Sequence, residues 1–249
     1  MNCSEATTYD VLAFAAHPDD IEVAMGGTAA RLAAEGHSVL IVDLCSGEPA
    51  RHGTPGERRE QARRAAELLG VKRTTLSLQD RLIQDNTVNR ILLAASIRRH
   101  RPSLVFTTHS GATCVHPDHA SMGSLVEGAV FYARLPKWEE VAGVDASDLA
   151  NTRPHEIKRL FYYFCRMEPA WQRFDFAFAV DEYYGAKEEA MAAYESVFGD
   201  ISRSALVSRV EAQDRYFGEM FDVGHAEVFQ SRAPLLIQDF QAIAPVRYG

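Results

Sequence analysis

Two short segments of the chain carry side chains of the kinds that bind metals and transfer protons. The first is His17-Pro18-Asp19-Asp20, and the second is His116-Pro117-Asp118-His119. Zinc takes imidazole nitrogen and carboxylate oxygen as ligands, and a catalytic zinc site keeps one position free for water. Two histidines and one carboxylate would satisfy the metal, which leaves groups over for proton transfer and for stabilising an oxyanion. The two segments together therefore predict a catalytic metal site.

Each segment also has a purely structural interpretation. Asp19 or Asp20 is suited to cap the amino terminus of a helix, and Pro117 suits a first helical turn. A single histidine near the end of a strand is more often a hydrogen-bonded structural residue than a ligand. The coincidence favours a site, because both His-Pro-Asp triplets follow an apolar strand pattern and open a helical one. Helix capping alone requires no histidine.

The elements that must position these segments alternate between strand and helix. Apolar runs predict strands at 11–16, 39–44, 74–78 and 104–108, and helix-forming stretches predict helices at 29–35, 57–69, 88–100 and 120–132. This alternation is typical of an α/β fold with a Rossmann-like, mostly parallel sheet flanked by helices. Ligands bind at the carboxyl ends of strands in such sheets. If strands one and four are neighbours, as in the common 3-2-1-4 order, the loops after them face each other.

The second half of the chain has a different pattern. Residues 134–158 hold two prolines and a charged run, and we interpret them as an excursion or flap, not a linker between domains. Later residues predict strands at 160–165, 174–180 and 226–229 and helices at 185–198 and 205–220. We expect a single domain over residues 1–249, with a core at about 9–132 and a flap and C-terminal part at about 133–249.

Composition excludes several classes of partner. The formal net charge is -8, so the phosphate-neutralising interaction that dominates nucleic-acid binding is absent. No apolar run approaches the length of a membrane span. The four cysteines are widely separated and form no Cys-x-x-Cys pair, and the first residues do not resemble a secretory signal. We expect a cytoplasmic protein with no nucleic-acid or membrane partner.

The two segments resemble the signature of a known family. Ala16 to Glu22 followed by Gly26-Gly27-Thr28 is similar to the first motif of the LmbE-like or PIG-L family, which contains zinc-dependent de-N-acetylases of N-acetylglucosamine derivatives. His116 to His119 is similar to the second motif, and softer similarities occur at 53–60 and 226–229. The most similar branch is the bacillithiol-pathway type, which deacetylates N-acetylglucosaminyl-malate. The resemblance implies hydrolysis of an acetamide to a free amine and acetate.

The resemblance also implies a role for individual residues. Three of them would be the metal ligands: His17, Asp20 and His119. The metal would be Zn²⁺, and Fe²⁺ could replace it in the cell. Asp19 would be the general base, His116 would stabilise the oxyanion, and Asp118 would orient a histidine. Arg58 and Asp80 would contact the substrate, with a solvated arginine on a charged helix as the lesser alternative for Arg58.

Two other functions stay open at this point. The string His116-x-Asp118 also fits a non-haem iron oxygenase, which uses two histidines and one carboxylate. A non-catalytic module that binds glycans or sugar nucleotides could share the fold. The resemblance implies a small N-acetylated sugar as the partner. It also implies a homo-oligomer, with a hexamer as one form.

Overall fold

The computed structural model describes residues 7–48, 53–109, 116–165 and 173–236, except for the side chains of 195–204. The described strands are β1 (Val11–Ala15), β2 (Val39–Cys45), β3 (Lys72–Leu78), β4 (Leu104–Thr108), β5 (Arg159–Tyr163), β6 (Phe176–Ala179) and β7 (Ala226–Ser231). The described α-helices are α1 (Asp20–Ala34), α2 (Pro55–Leu68), α3 (Thr87–His100), α4 (Pro117–Arg134), α5 (Ser147–Ala150), α6 (Tyr184–Ala192) and α7 (Glu195–Glu219). None of these helices combines the length and the apolar character needed to cross a membrane.

The seven strands form one sheet in the order β3-β2-β1-β4-β5-β7-β6. The first five strands in this order run parallel to one another, whereas β7 is antiparallel to both β5 and β6. Every residue of β1 is buried, because helices cover both faces of the sheet at its centre. The predicted α/β class is therefore confirmed. The predicted adjacency of strands one and four is confirmed as well, with Val11 in register with Leu104.

Helix α1 begins at Asp20, so the prediction that this helix starts at residue 29 is wrong. Met25 interrupts it with a non-helical φ of -150°, and the following turn therefore needs its own amino-terminal cap. Glu227 of β7 supplies this cap: its carboxylate accepts hydrogen bonds from the backbone N–H groups of Gly27 (3.0 Å) and Thr28 (2.6 Å). The kink is thus stabilised by a contact that the local sequence does not contain.

The glycines that led to that wrong boundary are needed for packing. A Cβ atom on Gly27 would lie 2.7 Å from the Cβ of Val180, which is closer than side chains approach. A Cβ on Gly26 would lie 3.1 Å from Cγ of Lys187. The two glycines therefore allow the C-terminal part of the chain to pack directly against α1.

Other helix boundaries differ from the prediction for identifiable reasons. Proline occupies the first turn of both α2 and α4, so these helices begin at Pro55 and Pro117 and not at residues 57 and 120. Thr54 and Glu57 form a capping box at the start of α2. The predicted break between helices at 199–204 is also wrong. The helical structure is interrupted at Tyr194, whose side chain is fully buried. Helix α7 then runs from Glu195 to Glu219.

Residues 134–158 lie at the amino edge of the sheet. The buried guanidinium of Arg98 donates hydrogen bonds to the carbonyl groups of Ala133, Leu135 and Leu149. Near the end of the segment, Nε2 of His155 lies 2.7 Å from the carbonyl oxygen of Pro102, just before β4. The segment is therefore an excursion on the side opposite the carboxyl ends of the strands, and it does not act as a flap over them.

Candidate metal centre and active site

The two histidine-containing segments meet at the carboxyl edge of the sheet. The first follows β1 and leads into α1, and the second forms the start of α4. Nδ1 of His17 lies 3.3 Å from Nε2 of His119, and the same nitrogen of His119 lies 3.1 Å from Oδ1 of Asp20. Nδ1 of His17 lies 4.0 Å from Oδ2 of Asp20. Three side chains that are far apart in sequence thus converge on one point.

The spacing of these donor atoms fits a tetrahedral metal ion. Ligand atoms at 2.0–2.1 Å from a tetrahedral zinc lie roughly 3.3 Å apart. The His17–His119 and His119–Asp20 separations of 3.3 Å and 3.1 Å are close to this value, and the His17–Asp20 separation of 4.0 Å is wider. All three side chains are at most 13% exposed, so a bound cation would be largely shielded from solvent. The donor set of two imidazoles and one carboxylate leaves one tetrahedral position for water or substrate.

Electrostatics in this cluster favour a positive charge between the donors. Burial alone would raise the pKa of Asp20, but the facing imidazoles of His119 and His17 hold this pKa well below its usual range. Burial disfavours a charged His119, yet the Asp20 carboxylate raises the pKa of that imidazole to about 12. A proton and a cation would therefore compete for the space between these donors.

The second nitrogen of His17 faces two carboxylates. Nε2 lies 3.1 Å from Oδ2 of Asp118 and 3.1 Å from Oδ1 of Asp80. Asp118 is buried, and it accepts hydrogen bonds from the backbone N–H groups of Arg81 (2.7 Å) and Ile83 (3.4 Å). A carboxylate that receives the N–H of a histidine leaves the other nitrogen of that ring free to bind a metal. Asp80, for which a substrate contact was predicted, lies beside Asp118 in this arrangement.

Asp19 occupies the cap position of α1 without acting as a cap. Its side chain makes no cap hydrogen bond to the helix. The carboxylate of the next residue, Asp20, accepts a hydrogen bond from the backbone N–H of His17 at 3.0 Å. Oδ1 of Asp19 lies instead 3.3 Å from Nη2 of Arg58. Burial raises the pKa of Asp19 to about 7, although Arg58 opposes the shift. A carboxylate with such a pKa can both accept and return a proton near neutral pH.

His116 is more exposed than the other residues of the cluster, at 44% of its side chain. Its ring lies 4.9 Å from the ring of His17, nearly perpendicular to it. Nδ1 accepts a hydrogen bond from the backbone N–H of Asp118 (3.3 Å), so the neutral ring carries its proton on Nε2. Burial and the neighbouring His17 lower the pKa of His116, which favours this neutral form.

Sequence reasoning missed one contact of the cluster. Cys165, just beyond the end of β5, forms a side-chain hydrogen bond with His119. Because β5 is the neighbour of β4, its carboxyl end must lie near the same point. The strand order is therefore the feature from which this contact could have been predicted. Two further histidines lie outside this cluster: His109 packs on Tyr162, and His225 stacks on Tyr184.

A buried ionic cluster supports the first turn of α1. Arg73 donates to Asp43 at 2.8 Å and to the hydroxyl of Tyr194 at 2.9 Å, and it also pairs with Glu22. The Tyr194 hydroxyl in turn donates to Glu22 at 3.0 Å. Glu22 thus supports the first turn of α1, and it is not among the metal-binding groups found in the described residues.

Known proteins with this fold and sequence pattern include deacetylases. A family model described as PIG-L, GlcNAc-PI de-N-acetylase, matches residues 12–130. The conserved protein TT1542 from Thermus thermophilus has a similar structure, with a TM-score of 0.79, 33% identity, and coverage of 92% of this chain and 97% of that one. A diacetylchitobiose deacetylase from Thermococcus kodakarensis is 27% identical over 233 residues, which cover 87% of this chain and 80% of that protein.

The fold also occurs with other chemistry. The structure of GalB, the 4-carboxy-2-hydroxymuconate hydratase from Pseudomonas putida, has a TM-score of 0.74 at 20% identity and covers 92% of this chain and 98% of that one. The fold alone therefore does not define the reaction. On the matching family model, the related sequences and the converging motifs, the chain belongs to the PIG-L, or LmbE-like, family of de-N-acetylases.

Proposed function

We propose that this protein hydrolyses the acetamide of an N-acetylglucosamine derivative with the help of Zn²⁺ bound by His17, Asp20 and His119. The observation that carries the proposal is the convergence of these three donors, with Nε2 of His119 at tetrahedral spacing from both other donors. The carboxylate of Asp19, which pairs with Arg58 and does not cap the helix, lies immediately before the ligand Asp20. The match of residues 12–130 to a family of de-N-acetylases supports the same reaction. When bound, the metal polarises the acetamide carbonyl and lowers the pKa of a bound water.

Asp19 is the proposed proton acceptor for the attacking water. Its carboxylate does not ligate the cluster and makes no cap hydrogen bond, and its pKa of about 7 suits transfer in both directions. The proton taken from water then passes from Asp19 to the nitrogen of the acetamide as the C–N bond breaks. The immediate products are acetic acid and the free amine, and Asp19 returns to its ionised form. The acid then gives its remaining proton to the amine or to solvent and leaves as acetate.

His116 is the proposed donor to the developing oxyanion. Its Nδ1 is engaged by the backbone of Asp118, so the proton on Nε2 is available to a substrate oxygen. Donation from a neutral ring requires no change in its protonation during the reaction. Asp118 acts through His17, whose tautomer it selects. Asp80 either joins that role or contacts the substrate, as the resemblance implies, and a kinetic comparison of Asp80→Asn with Asp118→Asn separates these alternatives.

The substrate that we propose first is N-acetylglucosaminyl-malate, on the sequence resemblance to the bacillithiol branch. The related T. kodakarensis protein is named for diacetylchitobiose, which shares the acetamido sugar and differs in the group attached to it. The shared chemistry is therefore the N-acetylglucosamine unit, and the attached group distinguishes the candidates.

Acetate release tests this function directly. Zinc-loaded protein is incubated with N-acetylglucosamine, N,N′-diacetylchitobiose and N-acetylglucosaminyl-malate, and acetate and free amine are measured together. Equal amounts of both products from at least one substrate are expected. Binding of these sugars without product would favour the non-catalytic glycan module. Oxygen consumption by the Fe²⁺-loaded protein, without amide hydrolysis, would favour the oxygenase.

A further inference from the structure

A groove at the amino edge of the sheet is lined by exposed cationic side chains. It has a volume of about 200 Å³ and lies between the carboxyl end of α4, the start of β5 and the end of β7. Its charged lining contains four cations and one carboxylate, Glu156; the cations are Arg134, Lys158, Arg159 and Arg232. We call the surface formed by these residues and Phe131 the basic groove. It contrasts with the formal net charge of the chain, which is -8.

The cations of the basic groove are available to a partner. The guanidinium of Arg134 lies over the ring of Phe131 at 4.5 Å, and Nη1 of Arg159 donates to the backbone carbonyl of Lys158 at 2.9 Å. Within the described ranges of the chain, none of the four cations meets a carboxylate in an ion pair. Phe131 is itself 45% exposed. Exposed arginine beside an exposed aromatic ring is typical of protein–protein interfaces.

The neighbouring excursion carries the opposite charge. Residues 138–150 hold four exposed carboxylates and no cation; the carboxylates are Glu139, Glu140, Asp145 and Asp148. We call residues 139–148 the acidic segment. Glu140 pairs with Lys137 at 3.3 Å, and the other three carboxylates form no ion pair in the described part of the chain. Val141, in the same segment, is 45% exposed.

Backbone contacts fix the acidic segment beside the basic groove. The buried guanidinium of Arg98 donates to the carbonyl groups of Ala133 and Leu149. The backbone N–H of His155 donates to the same Ala133 carbonyl at 2.9 Å, where the excursion returns to the sheet. Arg134 follows Ala133 directly. The two oppositely charged surfaces therefore lie at one edge of the sheet, and their separation is set by the fold.

Two such surfaces side by side are self-complementary under a two-fold rotation. In a two-fold dimer, every contact of residue i with residue j is repeated as a contact of j with i. The basic groove of one copy then receives the acidic segment of its partner, while its own acidic segment enters the partner's groove. Phe131 and Val141 supply apolar surface to the same contact. A nucleic acid fits less well, because the net charge of -8 opposes the approach of a polyanion.

We propose that the basic groove binds the acidic segment of a second copy of this chain in a two-fold symmetric dimer. The contact lies on the side of the sheet opposite the metal centre, so the proposal does not depend on the proposed function. Ion pairs between exposed groups are screened by salt. The dissociation constant of the dimer should therefore rise with ionic strength.

Charge reversal on either surface tests the contact. The groove variant carries Arg134→Glu and Arg232→Glu, and the segment variant carries Glu139→Arg and Glu140→Arg; all four positions are exposed. Sedimentation velocity should show a wild-type dimer at micromolar concentration. The dissociation constant of each variant should rise more than about 100-fold, because like charges then face each other.

A control variant separates the contact from a general effect of net charge. Arg209→Glu combined with Arg215→Glu changes the net charge by the same amount as the groove variant, at exposed positions of α7. This variant should remain dimeric. Circular dichroism and thermal unfolding establish that each variant is folded. If the wild type forms a larger assembly, the groove variant should lower its mass by removing one of its interfaces.

Mixing the two variants gives the decisive measurement. The reversed groove of one then faces the reversed segment of the other, and the two unchanged surfaces face each other as in the wild type. Native mass spectrometry should detect a 1:1 heterodimer, and a chain with all four substitutions should form homodimers again. A monomeric wild type, a groove variant that stays dimeric or a mixture without heterodimer would each overturn the proposal.

Discussion

Nε2 of His17 lies 3.1 Å from Oδ2 of Asp118, although the two residues are 101 positions apart in the chain. The contact joins the loop after β1 to the first turn of α4. Because Nδ1 of His17 faces His119, acceptance of the other N–H by Asp118 leaves Nδ1 with a free lone pair directed at the metal position. The orientation of one proposed ligand is therefore set by a residue of the opposite motif.

Asp118→Asn should weaken zinc binding. The amide keeps the size of the side chain, but its single carbonyl oxygen can accept from only one of the backbone N–H groups of Arg81 and Ile83, which bind different carboxylate oxygens. It also loses the charge that favours the His17 tautomer. Loss of such a supporting carboxylate weakens metal affinity about 10–100-fold. Competition with a chromophoric chelator measures the affinity. Asp148→Asn, an exposed substitution on α5, serves as the control, and equal affinities of the two variants would contradict the assignment.

Asp19→Ala should lose nearly all turnover while the zinc content stays near that of the wild type. The carboxylate is proposed to move protons and not to bind the metal, so its loss should cost about 10²–10⁴-fold in kcat. His119→Ala should lose both zinc and activity, because it removes a donor from the cluster. Metal analysis and acetate release measured on the same preparations distinguish the two. Loss of zinc from Asp19→Ala would show that the division between base and ligand is incorrect.

Zinc binding should release a proton from His119. Burial disfavours the charged imidazole, but the adjacent Asp20 carboxylate raises its pKa to about 12 in the metal-free protein. A histidine must be deprotonated to ligate zinc, so at neutral pH the incoming ion displaces at least one proton. Apparent zinc affinity should therefore rise with pH. Calorimetric titration in buffers of different ionisation enthalpy counts the protons, and a count of zero would contradict the prediction.

Asp214 should make the folded protein less stable as pH rises from about 4 to 7. Lys187 lies between two buried carboxylates, at 2.6 Å from Asp214 and 2.7 Å from Glu227. Burial raises the pKa of Asp214 to about 7, although Lys187 opposes the shift. An unfolded aspartate titrates near a pKa of about 3.9. In this window the folded state therefore holds a proton that the unfolded state has lost, and the free energy of unfolding decreases with pH.

Asp214→Asn removes this titration and mimics the protonated carboxyl group. Urea unfolding at a series of pH values should show the wild type losing stability relative to the variant as pH rises through the window. Glu189→Gln, an exposed substitution on the same helix as Lys187, should follow the pH profile of the wild type. A wild type that gains stability relative to Asp214→Asn over this range would contradict the predicted direction.

The centre of the fold could be predicted from the sequence because its signals are local. Continuous apolar runs identify β1 and β4, and the usual strand order of α/β sheets then places them side by side. The convergence of His17 with His119 follows from that adjacency. The catalytic and ligand roles of these residues, the single domain over 1–249, the homo-oligomer and the cytoplasmic location stay predictions.

The features that could not be predicted depend on contacts between distant parts of the chain. The start of α1 was placed too late because Gly26 and Gly27 were interpreted as a boundary, whereas they are small to admit Val180 and Lys187. Arg58 belongs to a helix rich in exposed arginines, and no local pattern shows that it alone turns inward. Its burial depends on the ring of Tyr194, which the sequence placed in the middle of a helix.

The cap that Glu227 provides to α1 constrains the order in which the protein can fold. The carboxylate and the two N–H groups that it receives are separated by 200 and 199 residues. During synthesis, the first metal-binding motif leaves the ribosome long before the strand that stabilises the helix behind it. Contacts of such separation form late and slow the folding of a chain. The metal centre should therefore form only after β7 has been translated, because α1 lacks the cap from Glu227 until then.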